Sequence, residues 1–367
     1  MDLNIEYKNQ NGEFPKFLDG ISSKKVSVIY DVNTKPYAEE IIESVKKAAD
    51  SVVEIGFDDR DLIPDERVCD RTQNESRGVD YILAVGSGSL NDVAKSQSYK
   101  LGIKCGVLAT AASMDGYCSR GAALMQKGVK VTENAHSPSD ILIDADIIRK
   151  APKIMTAAGF GDILGKYTAL TDWKTANAVK GEEINVKAFE MMKRSLDDCM
   201  AGYEDLTRYM PQAVSALMES LIVAGLAMAE CGNSRPASGS EHHISHFLEM
   251  DFIRRGERVP LHGVKVGLGT MVSVEIYNYI KDNKIPFYNC EKVYGFASEL
   301  PKVEEIGKKL KKMGCPTRFS EIGVRKETME QAIEKAYTVR DRFTVLTLAH
   351  ELGITEKIKP IIMQKYY

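Results

Sequence analysis

Short apolar runs alternate with longer segments of helical periodicity along the first 150 residues. The run at 80–85 is almost wholly apolar, as expected of a strand buried on both faces of a sheet. The amphipathic segment at 37–49 predicts a helix between two such runs. Strands that alternate with helices indicate a parallel sheet with helical crossovers. The predicted strands are 25–31, 52–57, 80–85, 105–110 and 140–144.

The pattern changes after Pro152, where strand-like runs give way to helical ones. We therefore predict an α/β fold with two domains, a parallel-sheet domain at 1–153 and an all-α domain at 154–367. In chains divided in this way the active site usually lies in the cleft between the halves, and we expect it there. The predicted helices are 154–179, 186–205, 211–228 and 241–254, followed by a loop at 256–260 and more helices to about 359.

Composition and charge are those of an ordinary soluble enzyme. The 367 residues carry a net charge of -3, which gives no basic footprint for nucleic acid or an anionic membrane. No apolar run approaches the roughly 20 residues that a membrane-spanning helix needs, and the first residues do not resemble a signal peptide. Seven scattered cysteines without a C-x-x-C motif are typical of a reducing compartment. We expect a cytoplasmic protein.

Histidines are concentrated in one segment. The chain has only six, and four of them lie between His242 and His262. His242 and His246 are four residues apart, so on a helix they project from one face. Histidines can also cap helices or lie satisfied in a core, but neutral imidazole is the commonest ligand of divalent transition metals. The concentration favours a metal site.

A glycine-rich turn follows the strand at 80–85. In Gly86-Ser87-Gly88-Ser89, small residues would let the backbone approach a phosphate, and the following helix would present free N–H groups. Ser89 is a candidate both for the N-cap and for a phosphate contact. The alternative is a tight strand–helix turn, because the full dinucleotide fingerprint is not present.

Two other strand ends favour a nucleotide. Asp31 ends the strand at 25–31, where a carboxylate can accept from ribose hydroxyls and would repel a 2′-phosphate. The strand at 105–110 ends in Thr110 and leads into a loop of small and hydroxyl residues that includes Ser113, Asp115 and Ser119. Such residues also populate ordinary turns, but three strand ends carrying them together indicate a Rossmann-like dinucleotide site.

The helical half begins with a glycine-rich segment around Asp162. Three glycines at 159, 161 and 165 each cost about 1 kcal/mol of helix stability relative to alanine, which is tolerated where the backbone packs closely against a neighbour or ligand. Asp162 is the natural third ligand beside two histidines. Lys166 lies one turn later on the same face, and in an apolar segment we favour a functional pair with Asp162 over a surface pair.

Together these segments resemble the iron-type alcohol dehydrogenase and dehydroquinate synthase superfamily. Within it they are most similar to the sn-glycerol-1-phosphate dehydrogenases, in particular the bacterial AraM-like branch. The resemblance runs from about 26 to about 270. It is carried by Gly86-Ser87-Gly88-Ser89-x-x-Asp92, Thr110-Ala111-Ala112-Ser113-x-Asp115-Gly116, Ala157-Ala158-Gly159-Phe160-Gly161-Asp162-x-x-Gly165-Lys166-Tyr167, Ser238-Gly239-Ser240-Glu241-His242 and Leu261-His262-Gly263.

The resemblance implies a role for each matching residue. It assigns the metal ligands to Asp162, His242 and His262, and the substrate contacts to His246 and Asp115. Lys166 would offset the substrate's phosphate charge, and Arg235, which lies close to the histidine motif in sequence, is a second candidate for this role. The cofactor contacts would come from Asp31, Gly86, Gly88, Ser89, Asp92, Thr110, Ser113 and Ser119.

The resemblance also implies the reaction, which is the NAD(P)-dependent interconversion of dihydroxyacetone phosphate and sn-glycerol 1-phosphate for phospholipid metabolism. Asp31 favours NAD(H) over NADP(H), and the divalent metal is expected to be zinc, nickel or iron. A homodimer or higher homo-oligomer is expected. The alternatives are a glycerol or other small-polyol dehydrogenase, a sugar-phosphate cyclase, and a scaffold that only binds nucleotide.

Overall fold

The computed structural model describes residues 3–367 and divides them into two compact units. The first comprises residues up to 112 together with 116–151, and the second comprises 113–115 and 152–367. The division therefore falls at Pro152, next to the predicted boundary at 153. The short segment 113–115, which carries Asp115, belongs to the second unit although the sequence places it inside the first.

The first unit is built around a parallel sheet of six strands. The strands are β1 (Asn4–Tyr7), β2 (Lys25–Asp31), β3 (Ser51–Phe57), β4 (Tyr81–Gly86), β5 (Lys104–Ala109) and β8 (Asp140–Ile143), and the remaining two strands, β6 (Gly121–Gln126) and β7 (Val129–Asn134), form a separate antiparallel hairpin. Their order in the sheet is β1-β8-β5-β4-β2-β3. Every residue of the central strand β4 is buried, as the apolar run at 80–85 predicts. The predicted parallel α/β fold is confirmed.

Four helices of the first unit connect successive strands of this sheet, and a fifth follows its last strand. They are α1 (Pro15–Gly20), α2 (Lys35–Ala48), α3 (Glu66–Glu75), α4 (Gly88–Leu101) and α5 (Ala145–Lys150). The side of α2 that carries Ile41, Ile42 and Val45 is buried in the core beside β2 and β4. This packing explains the amphipathic pattern at 37–49, since only one side of the helix leaves water.

The structure adds three strands to the five predicted: the edge strand β1 of the parallel sheet and the hairpin strands β6 and β7. The edge strand β1 pairs with β8 through only four residues, and its sequence Asn-Ile-Glu-Tyr mixes polar and apolar side chains. So short a run carries too little periodicity to be recognised. Glu6 is buried in it and accepts hydrogen bonds from the backbone N–H groups of Lys16 and Phe17, both at 2.8 Å, which fixes the start of α1.

The second unit contains helices and no strands among the residues described. They are α6 (Lys153–Lys180), α7 (Val186–Ala201), α8 (Tyr203–Thr207), α9 (Pro211–Cys231), α10 (Ser240–Arg254), α11 (His262–Asp282), α12 (Cys290–Glu299), α13 (Val303–Lys312), α14 (Lys326–Lys335), α15 (Val345–Glu351) and α16 (Thr355–Tyr366). The predicted helix at 186–205 is two helices, separated at Gly202. By length and composition α9 alone, within 3–367, could cross a membrane, and half of its apolar window is buried inside the protein.

Glycines allow α6 and α11 to pack closely. A Cβ atom on Gly161 would overlap the carbonyl oxygen of Gly263, and a Cβ atom on Gly263 would overlap the carbonyl oxygen of Ala158. The backbones therefore meet without side chains between them. Because Asp162 and His262 flank these glycines, the close approach also brings their side chains together.

Candidate active site

The predicted phosphate turn lies at the carboxyl edge of the sheet. The register pairs Tyr30 with Val85 and Gly86 with Ala109, so β2, β4 and β5 end side by side. A Cβ atom on Gly86 would come within 2.6 Å of the Leu90 side chain, which explains the glycine. The prediction that Ser89 caps the helix is wrong, because α4 begins at Gly88 and Ser87 occupies the N-cap. Ser89 instead lies in the first turn.

Lys95 fixes the loop beside this turn, a role that the sequence analysis missed. Its fully buried Nζ lies 2.8 Å from Asp92 and donates to the carbonyl oxygens of Gly116 and Gly121 at 3.0 and 2.7 Å. It also contacts the Ser119 hydroxyl at 3.2 Å. Asp92 and Ser119, both predicted to contact the cofactor, are thus held in one buried network within the first unit. Only tertiary packing reveals it, since Lys95 lies in a polar helical sequence.

Asp31 and Thr110 occupy the neighbouring strand ends. One carboxylate oxygen of Asp31, Oδ1, accepts from the backbone N–H groups of Asn33 and Thr34 at 2.8 and 2.9 Å. Its second oxygen has no hydrogen-bond partner within residues 3–367. The Thr110 N–H donates to the carbonyl oxygen of Gly86 at 3.1 Å and joins the ends of β4 and β5. Ser113 lies in the part of the same loop that belongs to the second unit.

The three predicted metal ligands meet in the second unit. Asp162 projects from α6, His242 from α10, and His262 is the first residue of α11. One ligand atom from each lies within 4.8 Å of the others, and His242 Nε2 is 3.7 Å from Asp162 Oδ1. This spacing and the two-nitrogen, one-oxygen donor set fit a single ion bonded at about 2.0–2.2 Å. Three protein ligands leave positions open for substrate.

Glu241 holds one of the three predicted ligands, His242, in position. Its fully buried carboxylate contacts His242 Nδ1 at 2.8 Å, so the other ring nitrogen, Nε2, faces Asp162. The same carboxylate accepts from the Thr168 hydroxyl and the Gly239 N–H, both at 2.6 Å. Burial, and then repulsion from Asp172, raise the pKa of Glu241 to about 7. A carboxylate on the outer nitrogen of a ligating histidine fixes its tautomer and orientation.

Lys166 lies between two carboxylates inside the cluster. Its Nζ donates to Asp162 Oδ1 at 2.9 Å, to the Ala237 carbonyl at 3.0 Å and to Asp115. Burial lowers the pKa of Lys166, but attraction to the two carboxylates outweighs it and the pKa is raised. All three N–H donors are therefore used inside the protein. Lys166 holds Asp115 and Asp162 in place and has no donor left for a substrate phosphate.

His246 borders the ligands one helical turn beyond His242. Its ring centre is 6.3 Å from that of His242 and 5.8 Å from that of His262. Its Nδ1 faces Glu249 at 3.4 Å, and its Nε2 is 3.1 Å from an N–H group of Arg340. Because an arginine can only donate, Nε2 is the acceptor and the proton of the neutral ring lies on Nδ1.

His243 lies apart from the ligand cluster. Both of its ring nitrogens are buried without a hydrogen-bond partner within residues 3–367. Burial, and then repulsion from Arg342 and Arg340, lower the pKa of His243 to about 3, so the ring is neutral. Adjacent helical residues differ in direction by about 100°, which is why only His242 reaches Asp162.

Comparison with known proteins identifies the family of the chain. Residues 7–152 match the family described as iron-containing alcohol dehydrogenase. A glycerol-1-phosphate dehydrogenase of Bacillus licheniformis is 33% identical over 353 residues, covering 93% of this chain and 86% of that protein. The chain belongs to the glycerol-1-phosphate dehydrogenase family.

Other members and a solved structure extend this result. A second member of the family, from Halalkalibacterium halodurans, is 32% identical and is matched over 94% of this chain and 91% of its own length. The fold is similar to that of an iron-containing alcohol dehydrogenase from Thermococcus thioreducens, with a TM-score of 0.73, 16% identity and coverage of 100% of this chain and 98% of that one. At this identity the structural likeness concerns the fold alone.

Proposed function

We propose that the chain is an NAD(P)-dependent and metal-dependent enzyme that interconverts dihydroxyacetone phosphate and sn-glycerol 1-phosphate. The observation that carries the proposal is the convergence of Asp162, His242 and His262 in a member of this family. The strand-end residues of the first unit supply the dinucleotide site in this proposal. Asp162 also disfavours a sugar-phosphate cyclase, in which glutamate is expected at that position.

The proposed chemistry divides between bound groups and the protein. When bound, the metal supplies Lewis acidity at the substrate oxygen and the nicotinamide supplies the hydride. His246 Nε2 is unprotonated, and once substrate displaces the Arg340 N–H group that occupies its lone pair it can take the hydroxyl proton in the oxidation direction and return it in the reduction direction. Glu249 faces the opposite nitrogen and orients the ring. Asp115, held by Lys166, is positioned to accept from a substrate hydroxyl.

The substrate is tested by NADH oxidation with dihydroxyacetone phosphate and with dihydroxyacetone. We expect strong turnover of the phosphate, loss of turnover after EDTA treatment, and recovery when zinc or nickel is added. Dialysis without EDTA is the control for handling losses. Preferential turnover of unphosphorylated dihydroxyacetone would make the protein a polyol dehydrogenase. If neither ketone is reduced after metal addition, the proposed function fails, and only the assignments of the fold and the family remain.

We propose NAD(H) as the preferred cofactor, because the free oxygen of Asp31 lies where the adenine ribose is expected. Replacing Asp31 by Asn keeps an oxygen for the turn at Asn33 and Thr34 but removes the charge. The ratio of kcat/KM for NADPH to that for NADH should rise about tenfold or more, since repulsion of a 2′-phosphate is lost.

The control is Asp50→Asn, at the opposite end of the sheet, where β3 begins. This variant should keep the wild-type cofactor ratio. An unchanged ratio in Asp31→Asn would remove Asp31 from the cofactor site. Thermal unfolding of both variants checks that the turn before α2 is intact.

The metal and the compartment are further parts of this proposal. The donor set of two imidazoles and one carboxylate suits zinc, nickel or iron. The seven cysteines are free thiols, five of them buried, which supports a reducing cytoplasm. The homodimer stays a prediction.

A further inference from the structure

Two arginines form a cationic pair close to the metal ligands. Arg340 and Arg342 lie in the irregular segment between α14 and α15, two residues apart, and both donate to the hydroxyl of Ser234 at 3.1 Å. Arg342 also donates to the carbonyl oxygen of Ser238. The two guanidinium groups thus converge on one serine just before α10, the helix that carries His242.

The positive charge of this pair is not balanced locally. No carboxylate of residues 3–367 lies within 4 Å of either guanidinium, and the attraction from Asp115 to Arg340 acts over a longer distance. Burial, and then repulsion from Arg235 and Arg340, lower the pKa of Arg342 to about 10, because they outweigh the longer-range attraction from Glu182 and Glu241. Two half-buried like charges sharing one hydroxyl are unfavourable unless an anion joins them.

A third arginine in the same region differs in this respect. Arg235, proposed from the sequence as a phosphate ligand, donates to Glu182 at 3.0 Å and to the carbonyl oxygens of Asp172 and Phe343. It is almost fully buried and already paired. The contrast leaves Arg340 and Arg342 as the groups available for an external anion.

The arginine pair adjoins the metal ligands through His246. Arg340 contacts His246 at 3.1 Å, and the His246 ring lies 5.8 Å from the ring of His262. In dihydroxyacetone phosphate the phosphoester is carried by the carbon next to the carbonyl. Arg340 is separated from the metal ligand His262 by a single side chain, that of His246, so an anion bound by the pair lies near the metal ligands. The planar guanidinium fork is the protein group best matched to phosphate oxygens.

We propose that Arg340 and Arg342, with the hydroxyl of Ser234 between them, bind the phosphate group of the substrate and set the preference for a phosphorylated ketone. This assignment rests on the proposed function, since the site itself specifies only a compact dianion next to the metal ligands. It replaces Lys166, whose three donors are used within the protein, and Arg235, whose charge is paired with Glu182.

The test is the ratio of kcat/KM for dihydroxyacetone phosphate to that for dihydroxyacetone. Arg342→Met and Arg340→Met should each lower this ratio about 10- to 100-fold, because each loses charge-assisted hydrogen bonds to the phosphate. Arg342→Lys should recover part of the ratio by restoring the charge without the fork. The exposed Arg318 supplies the control, since Arg318→Met should keep the wild-type ratio. Bound metal and the thermal midpoint verify folding.

Direct binding separates this proposal from the proposed function. Inorganic phosphate, titrated by calorimetry into the metal-loaded wild type, should bind saturably, and Arg342→Met should weaken this binding at least about tenfold. If the wild type prefers the phosphate ester but both methionine variants keep its ratio, the arginine assignment is overturned. If the wild type reduces neither ketone, the proposed function fails, and the phosphate titration alone tests the anion site. Phosphate binding that is lost in Arg342→Met supports the anion site. The absence of saturable phosphate binding to the wild type overturns it.

Discussion

Replacing His242 by Gln is expected to remove the bound metal and lower kcat/KM for dihydroxyacetone phosphate by about 1,000-fold or more. One of three ligands is lost, and Lewis-acid stabilisation of several kcal/mol goes with it, each 1.4 kcal/mol being a factor of ten in rate. The measurements are metal content by elemental analysis after gel filtration and steady-state NADH oxidation. Glutamine keeps a polar side chain of similar length, so the packing around Glu241 is disturbed little.

His243→Gln is the matched control because it changes the next residue of the same helix at equal burial. The His243 ring has no hydrogen-bond partner within 3–367 and does not reach Asp162. This variant should therefore retain wild-type metal content. Its activity is not the readout, since His243 borders the two arginines. If His243→Gln lost the metal and His242→Gln kept it, His243 would be the metal ligand in place of His242.

Replacing Gly263 by Ala is expected to destabilise the second unit by about 3 kcal/mol or more and to lower its thermal midpoint by roughly 10 °C. The added Cβ atom would overlap the carbonyl oxygen of Ala158, and backbone yields less readily than a side chain. Separation of α6 from α11 would also move Asp162 away from His262, so metal affinity should fall together with stability. Thermal unfolding and metal titration of the same preparation test both effects.

Gly295→Ala is the control, because Gly295 lies in α12 with no heavy atom within 4 Å of its Cβ position. There the intrinsic helix preference for alanine should act alone and raise stability by about 0.5–1 kcal/mol. The same substitution thus has opposite signs at the two helical glycines. If Gly263→Ala proved as stable as wild type, the close approach of α6 and α11 would not position the ligands.

Features that a local pattern encodes could be predicted from the sequence. The strand 81–86 is recognisable because burial on both faces requires a continuous apolar run. The helix carrying His242 is placed by its periodicity, and the prediction starts within one residue of Ser240. The glycines around Asp162 are recognisable because they oppose helix stability and so require a tertiary reason. The ligand set followed from the family resemblance, and its three members meet in the structure.

The tertiary structure alone decided which polar side chains support the site. Lys95, Arg340 and Arg342 follow no motif that distinguishes them from surface residues, and Glu241 lies in the motif at 238–242 without a role that the sequence assigns. Each of the four has at least one partner that is distant in sequence. Arg342 meets Ser234 108 residues away, and Glu241 meets Thr168 73 residues away. The tertiary structure also distinguished Lys166, whose N–H donors are all used within the protein, from Arg340 and Arg342, which have no carboxylate partner among residues 3–367 within 4 Å. Hydrogen bonds and charge balance depend on which helices pack together, whereas periodicity specifies only which side of each helix is buried.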